Sequence, residues 1–210
     1  MNEISALPIE RAKWPARGTA RSVGIPAPAY RHGFSRSSYE GPSSFELPRL
    51  YLTPGDLMIC REPCEVTTVL GSCVAVTFFS ARLRLAAICH AMLPVPFCGN
   101  ASSDFWEQRW KYVSYALDEL IRHFLPTENS ASDVEVKIFG GAHLLPTRDR
   151  LNSDGSIGSA NVALARRLLA EAGFAIRACD VGGIAGRKVI FDTRSGAVHS
   201  RRLSQIGVAA

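Results

Sequence analysis

The sequence of 210 residues lacks several features that would define broad classes of protein. It has no run of about 18 or more apolar residues, so a membrane-spanning helix is not expected. The first residues, MNEISALPIERAKWPARG, lack the apolar core of a secretory signal. The six cysteines include no C-x-x-C pair, which disfavours a zinc ribbon or a redox motif. Without export the thiols should remain reduced, so we expect a cytoplasmic protein.

Concentrated charge and phosphate-binding loops are missing as well. The net charge is +5, but Lys and Arg are spread along the chain without a block of like charge, which disfavours nucleic-acid binding. The glycine-rich segments at residues 139–142 and 180–183 fit neither the G-x-G-x-x-G nor the Walker A pattern. Tight turns or close packing explain them better.

The chain divides into two parts by composition. Residues 1–45 hold five of the twelve prolines and show no sustained apolar period. Such a segment buries too little surface to offset its ordering entropy, so we expect a flexible, disordered tail. Hydrophobic residues make up 47 % of the whole chain, enough for one core, and we expect residues 46–205 to form a single domain.

Apolar periodicity predicts an α+β fold for this domain. Residues 74–79 and 83–89 are apolar runs separated by a short polar turn, which is typical of a hairpin. Helical spacing of apolar residues extends over 104–125 and again over 161–172. Further strands are predicted at 50–59 (with a turn at 54–56), 134–139, 174–179, 187–191 and 197–203. Strands that do not alternate strictly with helices favour α+β over a doubly wound fold.

Two residues in apolar surroundings are candidates for chemistry. Cys73 follows a Gly71-Ser72 turn, and the glycine allows close approach to the backbone. His90, seventeen residues after Cys73, stands at the end of the next apolar run, so antiparallel pairing would bring it near Cys73. A thiol becomes a strong nucleophile when a basic neighbour takes its proton. Taken separately, each residue more often has a structural role, as a packed thiol or a hydrogen-bonded imidazole.

A metal site is the main alternative for these residues. Cys89 and His90 are adjacent, and neighbours on a strand point to opposite faces, so they do not easily share one tetrahedral site. Cys64 and Cys98 add no recognisable ligand spacing. We therefore expect no metal and no other cofactor.

Several ordered motifs resemble one known family. TTVLGSCVAV at residues 67–76, followed by CHAMLP, resembles CheD, the chemoreceptor glutamine deamidase family of bacterial and archaeal chemotaxis. The resemblance continues through WKYVSYALDELI, VKIFGGA, IGSANVALARRLL and DVGGIAGRKVIFDTRSGAVHSRRL. It covers residues 48 to 203 and is far more specific than either candidate residue alone.

The resemblance implies a three-layer α/β/β sandwich and a site with papain-like roles. By motif position, Cys73 is the nucleophile and His90 the base, and the hydroxyl of Thr67 orients the imidazole ring. The Gly71-Ser72 turn would leave the Cys73 amide free to bind the oxyanion. The implied reaction converts glutamine to glutamate through a thioester, on the cytoplasmic domains of chemoreceptors.

Two departures and two alternative functions stay open at this point. Family members often carry Gly-Gly-Met-Asn before the histidine, where this chain has Ala87, Ile88 and Cys89, and we expect a change in packing there without loss of activity. The N-terminal tail has no counterpart in compact members. The chain could instead be a regulatory binding module for a CheC-type CheY-phosphate phosphatase, with little catalysis. It could also be a general cysteine hydrolase or methylesterase acting on the same receptors.

Overall fold

The structure is a computed structural model that describes residues 47–96, 105, 108–125, 131–143 and 156–203. The tail predicted over residues 1–45 lies outside these ranges, and so do Cys98 and residues 204–205 at the predicted end of the domain. All statements below concern the described residues.

Two β-sheets form the framework. The strands are β1 (Arg49–Tyr51), β2 (Leu57–Cys60), β3 (Glu65–Leu70), β4 (Val74–Ser80), β5 (Leu85–Ala91), β6 (Glu135–Gly140), β7 (Ile176–Val181), β8 (Arg187–Asp192) and β9 (Val198–Arg202). One sheet, the outer sheet, has the order β1-β3-β8-β9, and the other, the central sheet, has the order β2-β5-β4-β6-β7. The β4–β5 hairpin confirms the predicted one and lies at the middle of the central sheet.

Two α-helices pack on the central sheet, and the described residues also include short 3-10 helices at Arg109–Lys111 and Ala131–Asp133. Helix α1 spans Val113–Phe124, and helix α2 spans Ile157–Glu171. The predicted start of the first helix falls partly outside the described residues. Helix α2 begins four residues before the predicted position, because the Ser156 hydroxyl accepts a hydrogen bond from Ser159 N at 3.1 Å and caps the first turn.

Successive side chains of β4 and β5 point to opposite faces of the central sheet, and both sets are apolar. Both faces are therefore covered, one by the helices and the other by the outer sheet. One face packs against α1 and α2, with Val74, Val76 and Phe78 of β4 meeting helix residues such as Leu117 and Leu169. The other face packs against the outer sheet, where Ala75 and Ile88 meet Val66, Leu70, Val189 and Phe191. The order of layers is helices, central sheet, outer sheet, which confirms the α+β class and the three-layer α/β/β arrangement.

Strand β3 is the main element that the periodicity missed. Its inward face carries Val66, Thr68 and Leu70, and the buried threonine interrupts the apolar pattern that marks a half-buried strand. The predicted strand over 50–59 is in fact two strands, because the turn at residues 54–56 takes the chain from the outer sheet to the central one. No helix in the described ranges is long and apolar enough to cross a membrane.

Gly140 is a position where a side chain has no room. Its φ is +106°, and a Cβ atom would lie 2.1 Å from the Cys73 carbonyl oxygen. We expect Gly140→Ala to lower the free energy of unfolding by about 3 kcal/mol or more, because backbone strain and a backbone clash act together. Gly182 is the matched control, since its φ is +72° but no heavy atom lies within 4 Å of the added Cβ. Gly182→Ala should cost only about 1 to 2 kcal/mol. Equal shifts in the urea unfolding curves of the two variants would contradict this account.

Candidate active site

The β4–β5 hairpin brings the two candidate residues to the same face of the central sheet. Ala75 of β4 is paired with His90 of β5, and Cys73 lies two positions before Ala75. Cys73 directly precedes β4, so it lies next to the diagonal position of His90, where a regular ladder places Cβ atoms roughly 7 Å apart. Both are directed toward the outer sheet: Cys73 packs against the cluster between the sheets, and His90 contacts a residue of β3.

The residue that contacts the imidazole is Thr68. Its Oγ1 lies 2.8 Å from Nδ1 of His90, and both side chains are buried. Thr67, for which the orienting role was expected, alternates to the opposite, outward face of β3, so the hydroxyl beside the imidazole is that of its neighbour Thr68. A hydrogen bond between Thr68 and His90 links β3 of the outer sheet to β5 of the central sheet.

A second hydrogen bond of Thr68 determines which imidazole nitrogen carries the proton. The Thr68 hydroxyl donates to the carbonyl oxygen of Leu52 at 2.8 Å, and a hydroxyl has a single hydrogen to donate. Its oxygen must therefore accept from His90, so the proton of the neutral ring is on Nδ1. The other nitrogen, Nε2, is left with a free lone pair, and no described residue forms a hydrogen bond with it. An unprotonated Nε2 is the form that can take a proton from a thiol.

The main chain of His90 is held on its other edge by the turn before β2. Gly55 N donates to the His90 carbonyl at 2.8 Å, and His90 N donates to the Asp56 carbonyl at 2.9 Å. The ring and the backbone of His90 are thus fixed by separate elements. This leaves the imidazole little freedom to rotate away from the sheet face that it shares with Cys73.

Burial favours the neutral form of both candidate residues. Desolvation raises the pKa of the Cys73 thiol, although the backbone N–H of Cys73 itself acts in the opposite direction. Desolvation also lowers the pKa of His90, against the Leu52 carbonyl and the Asp56 charge, which raise it. Both directions favour a thiol and a neutral imidazole as the resting forms of the pair.

The loop before Cys73 is held by the end of β6. Ala142 N donates to the Gly71 carbonyl and Gly141 N donates to the Cys73 carbonyl, each at 2.8 Å. From α2, the side-chain amide of Asn161 donates to the Ser72 carbonyl at 3.1 Å. Three successive carbonyls of the loop therefore have a fixed donor.

The two residues considered for a metal site, Cys89 and His90, lie on opposite faces of β5. Cys89 packs in the core on the helix side of the central sheet, whereas His90 faces the outer sheet. Within the described ranges, no group of three or more His, Cys, Asp or Glu side chains is close enough together to hold a metal ion.

Sequence reasoning missed two side chains that position this site. Thr68 had a signal in the sequence, because alternation along Glu65–Leu70 puts Thr68, and not Thr67, on the same face as the apolar Val66 and Leu70. The sequence signal for Asn161 was weaker. A single polar residue on the apolar side of a helix indicates a buried hydrogen bond, but it does not identify the acceptor.

Comparisons with known proteins identify the family to which this chain is similar. The model of the CheD family, described as CheD chemotactic sensory transduction, matches residues 92–202. A probable chemoreceptor glutamine deamidase CheD of Geobacter sulfurreducens is 39% identical over 160 residues, which are 76% of this chain and 93% of that protein. Proteins with the same description from Oleidesulfovibrio alaskensis and Maridesulfovibrio salexigens are 40% and 37% identical, over 75% and 76% of this chain and 74% and 95% of theirs.

The length of the match to the Geobacter sulfurreducens protein shows whether the candidate residues lie within it. The family model begins two residues after His90 and so does not itself include the candidate pair. A match covering 160 of 210 residues, however, must include residues 51–160 wherever it begins. Thr68, Cys73 and His90 therefore all lie within the region of similarity.

The two neighbouring threonines of β3 provide a matched test of the hydrogen bond. Replacing Thr68 with valine keeps the volume but removes the acceptor for Nδ1–H of His90, so we expect the ring to lose its single tautomer. Replacing Thr67 with valine should leave the tautomer unchanged, because its hydroxyl faces outward. Nitrogen-15 chemical shifts of the His90 ring distinguish the two tautomers directly. A wild-type ring protonated on Nε2, or a Thr67→Val variant that alters the tautomer, would contradict the assignment.

Proposed function

The chain belongs to the CheD family, and from this premise we propose that it hydrolyses the side-chain amide of glutamine residues on the cytoplasmic domains of chemoreceptors. Its relatives are described as probable chemoreceptor glutamine deamidases. The observation that carries the proposal is the hydrogen bond from His90 Nδ1 to Thr68, which leaves a free Nε2 on the face shared with Cys73. This arrangement has the parts that acyl transfer by a cysteine requires.

The first step forms the carbon–sulfur bond. Nε2 of His90 takes the thiol proton as the Cys73 sulfur attacks the carboxamide carbon of the glutamine, and the carbonyl oxygen becomes an oxyanion. The backbone N–H of Cys73 is the donor available to that oxyanion, because the turn at Gly71 and Ser72 places it just before β4. Thr68 keeps the imidazole in position while its charge develops.

The second step releases ammonia. The imidazolium gives its Nε2 proton to the amide nitrogen, the carbon–nitrogen bond breaks, and a thioester joins the glutamyl side chain to Cys73. His90 is neutral again and takes a proton from water, whose oxygen attacks the thioester carbonyl. Breaking the carbon–sulfur bond yields glutamate, and the thiolate recovers the proton from His90.

The neutral resting pair suits an enzyme whose substrate is a protein surface. A thiol with a raised pKa reacts slowly with small electrophiles and oxidants, because the thiolate is the reactive form. Cys73 is half-buried and His90 is 1 % exposed, so the pair is shielded until a glutamine side chain enters. The ion pair then forms only along the reaction coordinate.

Both alternative functions make different predictions for the same variants. A binding module for a CheC-type phosphatase would not depend on the Cys73 thiol, whereas a methylesterase would use the same thioester with an alcohol as the leaving group. The requirement for protonation by His90 is stronger for ammonia than for an alcohol, because an amide nitrogen leaves poorly without a proton.

The direct test is conversion of glutamine to glutamate. Purified wild-type protein incubated with a receptor cytoplasmic fragment should convert specific glutamines, as followed by peptide mass spectrometry. Cys73→Ala should reduce the conversion roughly a thousandfold or more, because it removes the nucleophile. Cys89→Ala is the matched control, since that thiol is buried on the opposite face of β5. Absence of wild-type conversion on a fragment that a known deamidase modifies would refute the proposal.

The pH profile tests the protonation states. Deamidation needs a neutral His90 at the start, and burial lowers the pKa of His90 below its ordinary value of 6.5. We therefore expect kcat/KM to stay high as the pH falls to 6.5 and to decline only at lower pH, where Nε2 becomes protonated. Rates measured from about pH 4.5 to 8 will define this acid limb. An acid limb centred above pH 6.5 would show that a raised pKa, and hence a resting ion pair, governs the reaction.

A further inference from the structure

Asn161 joins helix α2 to both strands of the candidate active site. Its side chain is completely buried, and its amide nitrogen donates to the carbonyl of Ser72 at 3.1 Å and to the carbonyl of Met92 at 2.9 Å. Ser72 is the residue before Cys73, and Met92 is two residues after His90. The two hydrogens of one amide group thus connect the main chain beside the nucleophile to the main chain beside the base.

The helix reaches this loop because glycines remove the side chains that would separate them. A Cβ atom on Gly158 would lie 2.7 Å from the Gly141 carbonyl oxygen, and one on Gly141 would lie 3.0 Å from the Gly158 carbonyl oxygen. Gly158 and Asn161 are three residues apart, so they occupy the same face of α2. The close contact at Gly158 is what lets the short side chain of Asn161 reach the Ser72 carbonyl.

The hydrogen bond to Ser72 also determines the direction of the Cys73 amide. The carbonyl of Ser72 and the N–H of Cys73 belong to one planar trans peptide group, in which they point in opposite directions. Asn161 holds the carbonyl toward the helix layer, so the N–H is directed away from that layer. Gly141 N holds the next carbonyl, that of Cys73, at 2.8 Å. No backbone carbonyl of the described residues accepts from Cys73 N–H, which leaves it available.

We propose that Asn161 is a positioning residue of the deamidase: by holding the Ser72 carbonyl, it aims the Cys73 N–H at the oxyanion that forms during attack. The inference rests on the proposed function and extends it to a residue that does not touch the substrate. A second effect of the same amide, through Met92, fixes the spacing between the end of β5 and the loop before β4.

The remaining atom of the side chain supports a specific role over simple packing. Oδ1 of Asn161 is buried, and no described residue forms a hydrogen bond with it. A buried polar atom without a partner destabilises the fold. An apolar side chain of similar volume would avoid that loss, but it would provide no donor to either carbonyl. An asparagine at this position, with its unpartnered Oδ1, is explained if the site requires the two N–H donors of its amide group.

The test separates carbonyl chemistry from simple thiol reactivity. Alkylation of Cys73 by iodoacetamide displaces iodide and forms a carbon–sulfur bond without any oxyanion, whereas deamidation passes through one. For Asn161→Leu we expect kcat to fall roughly 10- to 100-fold with little change in KM, because a misdirected donor weakens oxyanion binding. The alkylation rate of Cys73 should change much less than kcat.

Two further variants keep the test decisive. Asn161→Asp has nearly the same shape but replaces the donor with an acceptor, so it should lose kcat at least as strongly, and it serves if the leucine variant does not fold. Leu164→Ala is the matched control: Leu164 lies on the same helix and packs in the core between the helices and the central sheet, so its truncation should lower the unfolding midpoint but leave kcat unchanged. Unchanged kcat in folded Asn161 variants, or parallel losses in kcat and alkylation rate, would overturn the proposal.

Failure of the proposed function can be distinguished from failure of the positioning role of Asn161. If wild-type protein deamidates no receptor glutamine, the proposed function fails. The positioning role is then read from acylation of Cys73 by an activated thioester, a reaction that also forms an oxyanion. Slower acylation with unchanged alkylation in Asn161→Leu would still support the positioning role, and equal rates of acylation in variant and wild type would remove it.

Discussion

The hydrogen bond between Thr68 and His90 is the contact on which the site depends, because it crosses from one sheet to the other. β3 and β5 pair with different partners, and only the packing of the two sheets brings their side chains together. A neutral hydrogen bond contributes about 1 kcal/mol to stability, which is small beside the apolar core. Its larger effect is chemical: together with the bond from Thr68 to the Leu52 carbonyl, it assigns the ring proton to Nδ1. The sandwich thereby leaves Nε2 unprotonated, which is the form that the proposed base requires.

Burial between the sheets has two consequences that act in the same direction. It removes water from the thiol and from the imidazole, and each group is then more stable without charge. In the proposed mechanism, the same exclusion of water strengthens the hydrogen bond from the backbone donor to the developing oxyanion. The close packing of α2 against the loop, made possible by Gly141 and Gly158, extends this preparation to the main chain around Cys73.

Much of this arrangement could be predicted from the sequence, and the exceptions have physical causes. The hairpin of β4 and β5 was evident because both strands are nearly continuous apolar runs around a short turn, and its geometry brought Cys73 and His90 together. Strand β3 was missed because a buried threonine interrupts its alternation. The family resemblance pointed to Thr67, six residues before the cysteine, but the strand places Thr68 on the inward face. Asn161 could not be found this way, since its acceptors are main-chain carbonyls 69 and 89 residues distant in the chain.

The central claim is that Cys73 carries the glutamyl group as a thioester, and trapping that intermediate tests it most directly. Hydroxylamine attacks thioesters, so adding it to the wild-type reaction should yield a hydroxamate at the target glutamine, detectable by mass spectrometry. The account predicts hydroxamate that increases with hydroxylamine at the expense of glutamate, and none above background with Cys73→Ala. Glutamate formed at an undiminished rate without any hydroxamate would mean that water attacks the amide directly, and would contradict the account.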